Sequence, residues 1–145
     1  MTMRTELTVD VNASQDRVFD YLADLANFRE LIPIIHRIDP SIEQGERVWD
    51  VELRAKVGPF ARSKRLRMAR SQCEPHSNVV FNRVESDQRD HAPWVLSVVV
   101  LPGSGGSKVT IKLEYGGRLW TAGVLERILR ENIDEGTRRL QQHFA

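Results

Sequence analysis

The sequence predicts an α+β domain: a curved antiparallel sheet of about six or seven strands wrapped around one long C-terminal helix, with two small helices after the first strand. Three observations carry this. Val109, Ile111, Leu113 and Tyr115 alternate with Thr110, Lys112 and Glu114 and end at Gly116 and Gly117, and a period of two marks a strand with one wet face. An apolar stripe at helical spacing then runs from Leu119 to Phe144. Almost everything between Ile34 and Tyr115 reads as strands and turns. A half-buried sheet that ends in one amphipathic helix lays that helix across its apolar face, and a curved sheet gripping a helix leaves room for a cavity.

The elements follow in order. Leu7, Val9 and Val11 alternate with Glu6, Thr8 and Asp10, so Arg4 to Val11 is a strand. Asn12 or Ser14 caps the next helix, in which Val18, Leu22 and Leu25 form one apolar face. A second short helix starts at Asn27, with Glu30 in capping-box spacing, and Pro33 ends it by forcing extended geometry on the residue before it. Trp49, Val51, Leu53, Ala55 and Val57 mark a strand, Gly58-Pro59 a turn, and Phe60 to Arg70 its return. Glu74 to Asn78 turns into a strand over Val79 to Glu85, and Asp87 to Ala92 is a charged loop. Trp94 to Leu101 is apolar on both faces, the pattern of a fully covered central strand. Pro102 to Ser107 is a flexible turn before the last strand. The final helix should begin near Leu119 to Thr121, reach His143 and bury Leu125, Leu129, Ile133 and Leu140.

Bulk properties fit one domain over residues 1–145. The chain is 41% hydrophobic and 28% charged, with a net charge of +1; this is too apolar for disorder and too neutral for global attraction to nucleic acid. Its apolar runs are far short of the roughly 20 residues that span a bilayer. With no signal-peptide pattern at the N-terminus and a single cysteine, Cys73, no intrachain disulfide or multi-cysteine metal site is possible, and a cytoplasmic location is expected. Cys73 reads as a small apolar residue, buried or half-buried.

Catalytic signals are thin. His36, His76, His91 and His143 stand apart, none at metal-ligand spacing, so neither a metal nor a cofactor is expected. Gly103-Ser104-Gly105-Gly106 lies between strands instead of opening a helix, which argues against a phosphate loop. His91, close to Asp87 and Asp90, is the only candidate acid–base residue, and a solvated turn is the better account of it.

Alternation would turn Arg62, Lys64, Arg70, Arg83 and Glu85 inward. An inward Arg62 or Arg83 needs an anionic ligand group or a carboxylate, for which Glu52, Glu85 and Asp87 are available, unless these strands bulge or lie at an edge. Between Leu53 and Cys73 the basic residues Arg54, Lys56, Arg62, Lys64, Arg65, Arg67 and Arg70 meet no acidic one. Such a stretch protects a sheet edge or contacts an acidic protein or a peripheral anionic membrane. With Phe60 its only aromatic, nucleic acid is not expected.

The segment Val11 to Pro33, VNASQDRVFDYLADLANFRELIP, resembles the START-like proteins, the polyketide cyclase/dehydrase and lipid-transport superfamily (SRPBCC, helix-grip fold). Val18, Phe19, Tyr21, Leu22 and Asp24 match its first helix, and Asn27, Phe28 and Pro33 its second. The glycine-rich turn, Lys108-Val109-Thr110, Tyr115-Gly116-Gly117 and a helix with Glu135-Gly136 extend the similarity over the whole chain. Phe28-Arg29-Glu30-Leu31 departs from the tryptophan that many relatives carry near the end of the second helix.

The resemblance implies an α+β ligand-binding domain whose members include carriers and aromatic polyketide cyclases, with no shared catalytic residue. The expected function is binding of a hydrophobic small molecule (a lipid, a quinone or a polyketide-like aromatic) between sheet and final helix, as a monomer or homodimer. The alternatives are a cyclase or dehydratase using the same cavity, and an interaction module acting through residues 54–70. The expected cavity residues are Trp49, Val51, Leu53, Met68, Phe81, Arg83, Trp94, Leu96, Ile111, Leu113, Tyr115, Leu129, Ile133 and Gly136; a solid core would use the same side chains. Gly136, inside the helix, marks either close packing or open space.

Overall fold

The computed structural model describes residues 2–57, 59–85, 87–116 and 124–145. Seven antiparallel strands form one sheet in the order β1-β7-β6-β5-β4-β3-β2. They are β1 (Thr2–Val11), β2 (Ile35–Glu43), β3 (Glu46–Val57), β4 (Phe60–Glu74), β5 (Asn78–Arg83), β6 (Trp94–Gly103) and β7 (Gly106–Gly116). Strands β2 to β7 are a meander, and β1 joins its far edge beside β7, with Leu7 opposite Ile111. Helices α1 (Gln15–Leu22) and α2 (Phe28–Leu31) follow β1, joined by a 3₁₀ turn at Leu25–Asn27, and α3 (Val124–His143) ends the chain.

The apolar stripes place these elements. On α1, Val18, Phe19 and Leu22 are buried; on α3, Leu129, Ile133 and Leu140 are, the last with no exposure. The helix start expected at Leu119 to Thr121 and the side chain of Leu125 lie outside the described residues. Ser14, not Asn12, caps α1, its side chain accepting from the Arg17 N–H. The capping box expected at Asn27 does not form. Asp24 caps the turn by accepting from the Ala26 N–H, while the Asn27 amide donates to the Tyr21 carbonyl and Glu30 accepts from the Tyr21 hydroxyl. Ile32, before Pro33, is extended and ends α2 as its position predicts.

Two other expectations are corrected. β6 is not covered on both faces: Val98 and Val100 are fully buried, but Val99 and Leu101 are exposed, because the helices cover only the concave side of a single sheet. Cys73 is exposed; it lies just beyond the pairing shift between Arg70 and Gln72, which interrupts the regular alternation of β4. Strand β1 and the helix are bound to the sheet end by Ser107, whose buried hydroxyl donates to the Ala13 carbonyl at 2.6 Å. No helix among the described residues is long and apolar enough to cross a membrane.

Candidate functional site

Between the concave face of the sheet, α2 and α3 lies a cavity of about 90 Å³. The sheet side is Val51 and Leu53 from β3, Leu66 and Met68 from β4, Trp94 and Leu96 from β6, and Ile111 and Leu113 from β7. Leu129, Asn132, Ile133 and Gly136 of α3 form the roof. The third wall comes from Leu25, Phe28, Leu31 and the run Ile32, Ile34, Ile35 and Ile38. Period-two burial in the strands and the Leu129–Ile133 spacing in the helix turn these residues to one space. Ile32, Ile35 and Ile38 are only half-buried and form its rim.

Asn132 is the one amide side chain in this wall, and both of its polar atoms are hydrogen-bonded. Its Oδ1 accepts from the Ile34 N–H at 2.6 Å and its Nδ2 donates to the Ile128 carbonyl at 2.9 Å. It thereby ties α3 to the segment after α2. A larger hollow of about 440 Å³ beside β2 to β4 is walled mainly by charged side chains, among them Asp50, Glu52, Arg65 and Arg67. Its charges pair with one another, so it lacks the apolar lining that ligand pockets share.

Ten of the fourteen residues singled out in the sequence line the cavity: Val51, Leu53, Met68, Trp94, Leu96, Ile111, Leu113, Leu129, Ile133 and Gly136. The other four lie off it. Trp49 and Phe81 face inward but pack edge to face on each other, ring centres 5.6 Å apart, and both are fully buried. Tyr115 stacks on Trp94 at 5.2 Å, and burial, then Glu126, push its hydroxyl pKa up. Arg83 is turned to the loop after β5, where it donates to Glu85 at 3.0 Å and to the Ala92 carbonyl at 3.3 Å. Its side chain is only 8% exposed, so this inward cation has the carboxylate its burial demands. Arg62 and Arg70 are exposed and Lys64 is half-buried. Burial and the neighbouring Arg83 lower the Lys64 pKa, against a smaller opposing pull from Glu85.

Sequence reading missed the α2 side of the cavity. The signal was the cluster Ile32, Ile34, Ile35 and Ile38, which Pro33, His36 and Arg37 break up so that no strand or helix period aims it. Asn132, one polar residue amid an apolar stripe, was a second unused signal.

Gly136 is a close-packing glycine and not a mark of open space. A Cβ there would lie 2.6 Å from Ile32 Cδ1 and 3.3 Å from the Leu31 carbonyl oxygen, so α3 touches α2 at this point.

The acid–base candidate sits apart from the cavity. His91 Nε2 lies 2.9 Å from Asp87 Oδ2, and Nδ1 lies 3.2 Å from Arg83 Nη2. A guanidinium can only donate, so Nδ1 accepts and Nε2 carries the proton given to Asp87. The Arg89 backbone N–H, then His91, hold the Asp87 carboxyl below its usual range. Both ring nitrogens are engaged within this exposed loop. Among the described residues, no three His, Cys, Asp or Glu side chains gather as a metal site.

A sheet gripping a helix over an apolar cavity defines a helix-grip protein. The chain belongs to the polyketide cyclase/dehydrase and lipid transport family, whose model matches residues 2–145. Solved structures agree on the fold. A START superfamily protein from Mycobacterium smegmatis is 12% identical, with a TM-score of 0.71, over 97% of this chain and 96% of the other. The Zhui aromatase/cyclase from a Streptomyces species is 14% identical with a TM-score of 0.64, covering 98% and 90%. The di-domain aromatase/cyclase StfQ of the steffimycin biosynthetic pathway is 18% identical with a TM-score of 0.69; all of this chain matches 51% of it, so the chain spans about half its length. No curated protein matches the sequence.

Proposed function

We propose that the protein binds an apolar small molecule in the cavity between the sheet, α2 and α3. The observation that carries this is the wall itself: apolar apart from the Trp94 indole N–H and Asn132, whose Oδ1 and Nδ2 are both hydrogen-bonded. Such a surface holds a ligand and offers no perturbed acid or base to transform it, which favours a carrier over a cyclase. Family membership supports the ligand class, since the family joins lipid transport with polyketide chemistry.

Size and hydrogen bonding narrow the ligand. A cavity of about 150 Å³ holds benzene, so the ≈ 90 Å³ here admits a ring system only when the rim isoleucines move aside. Trp94 lines the cavity, and its indole N–H is buried without a partner among the described residues. A buried donor left unpaired costs about 1–3 kcal/mol. A carbonyl oxygen on the ligand would satisfy it, which favours a quinone or polyketide-like aromatic over a pure hydrocarbon.

The test is a fluorescence titration with a naphthoquinone probe. The expected result is saturable quenching that Trp94→Phe strongly reduces. A wild-type protein whose emission does not respond to the probe, and whose stability is unchanged by it, would refute the reading.

A further inference from the structure

Strands β3 and β4 run past their neighbours. The pairing of β2 with β3 begins at Ile35 opposite Leu53, and that of β5 with β4 ends at Arg83 opposite Met68. Past two further backbone bonds, the Arg54 N–H to the Ile34 carbonyl and the Val84 N–H to the Arg67 carbonyl, the two strands pair only with each other, from Ala55–Arg62 to Val57–Phe60. The result is a two-stranded arm. It projects at the end of the sheet where β2 and β6 begin, β7 ends, and the cavity residues Ile35, Leu53 and Trp94 lie.

The arm is unlike the rest of the basic stretch. Arg65 and Arg67, at its base, are matched by Glu52, Asp50 and Glu43 at 3.5, 3.1 and 2.6 Å. Arg54, Lys56, Arg62 and Lys64 form no ion pair among the described residues, and residues 53–64 contain no acid. Phe60 stands beside the tip, 66% exposed. Protection of a sheet edge would account for the cations. It does not account for an exposed ring, which makes an edge stickier.

We propose that this arm docks tip-first on an anionic lipid bilayer, Phe60 entering the interface and the four cations meeting headgroups. The placement of charge favours a bilayer over other polyanions. Cross-strand pairs share a face, so Arg62 and Lys64 lie on one side of the ribbon and Arg54 and Lys56 on the other. A duplex or a folded acidic protein would meet only one side. A headgroup layer entered by the tip surrounds both, and an aromatic beside cations suits the interface between apolar and charged layers. Docking would bring the cavity end of the sheet to the membrane. The proposal does not depend on what the cavity holds.

The experiment is co-sedimentation of the full chain with vesicles of phosphatidylcholine alone and of phosphatidylcholine with phosphatidylglycerol. The protein should pellet with the anionic vesicles only, and be released as salt rises from about 50 to about 500 mM, where screening shortens to a few ångströms. Lys56→Gln and Arg62→Gln should each weaken partitioning about fivefold. Phe60→Ser should weaken it at every salt concentration. Arg138→Gln, on α3, should change nothing. Circular dichroism should show all four variants folded, since each side chain is exposed. Equal pelleting with neutral vesicles, no pelleting with anionic ones, or arm variants that bind like wild type would each overturn the proposal. So would tighter retention by duplex DNA or polyglutamate than by anionic vesicles.

Discussion

Leu129→Ala tests packing and cavity together. Leu129 is 3% exposed and forms part of the cavity roof. Truncation removes three buried carbons at about 0.8 kcal/mol each, and the space left behind adds to this because it cannot fully collapse. The expected cost is about 3–4 kcal/mol, which in a chain of this size lowers the melting temperature by roughly 6–16 °C. The enlarged space should also accept a small aromatic more readily than the wild-type cavity of about 90 Å³ does. Urea unfolding, followed by circular dichroism with and without naphthalene, measures both effects. A ligand at a hundred times its Kd restores about 2.7 kcal/mol, so saturating naphthalene should recover most of the loss. A cost below about 1 kcal/mol, the level of a surface substitution, would refute the placement of α3 over the sheet. A full cost with no recovery would refute the continuity of the new space with an apolar cavity.

Four further outcomes are expected. Gly136→Leu should cost about 1–3 kcal/mol through overpacking against Ile32 and Leu31 and should block probe uptake; urea titration and the quinone assay read the two effects. Gly106→Ala should be strongly destabilising in a thermal melt, because a Cβ there collides with the Val11 carbonyl oxygen. Burial, then Glu30, push the Tyr21 hydroxyl pKa from 10.0 up to about 12; the folded state therefore holds the proton more tightly, so stability is intact below about pH 10 and lost as pH rises towards 12, and Tyr21→Phe should flatten that alkaline fall. Arg138, then Arg139, hold the Glu135 carboxyl below its usual 4.5, so its contribution is present above that pH and lost as pH falls further. Glu135→Gln should flatten the acid limb of the stability curve.

The sheet and the last helix were legible because each has one buried face. Alternation in Leu7 to Val11 and Val109 to Tyr115 marks the partners that the register joins, Leu7 with Ile111 and Val9 with Val109. The Leu129–Ile133–Leu140 stripe gave the helix its inner face in the same way. Where both faces of an element are apolar, pattern has nothing to distinguish. Val99 and Leu101 look like core residues in the sequence yet are exposed, because only the concave side of the sheet is covered. The short α2 has one turn, too few for a period, so Phe28, Leu31 and the isoleucines after it could not be aimed at the cavity. Local hydrogen bonding was ambiguous for a related reason: Asn27 and Asp24 have similar capping ability, and only the position of the Tyr21 carbonyl decides between them. The basic stretch hid a division that cross-strand pairing makes, between Arg65 and Arg67, matched by acids of β2 and β3, and the arm beyond them.

The central claim, an apolar cavity that takes up a ligand, is tested most directly by isothermal titration of the wild-type protein and Gly136→Leu with the same naphthoquinone. One site is expected in the wild type, with a negative heat-capacity change from apolar burial, and no measurable heat of binding in the variant. Binding that survives in a folded Gly136→Leu protein, or its absence from the wild type, would contradict it.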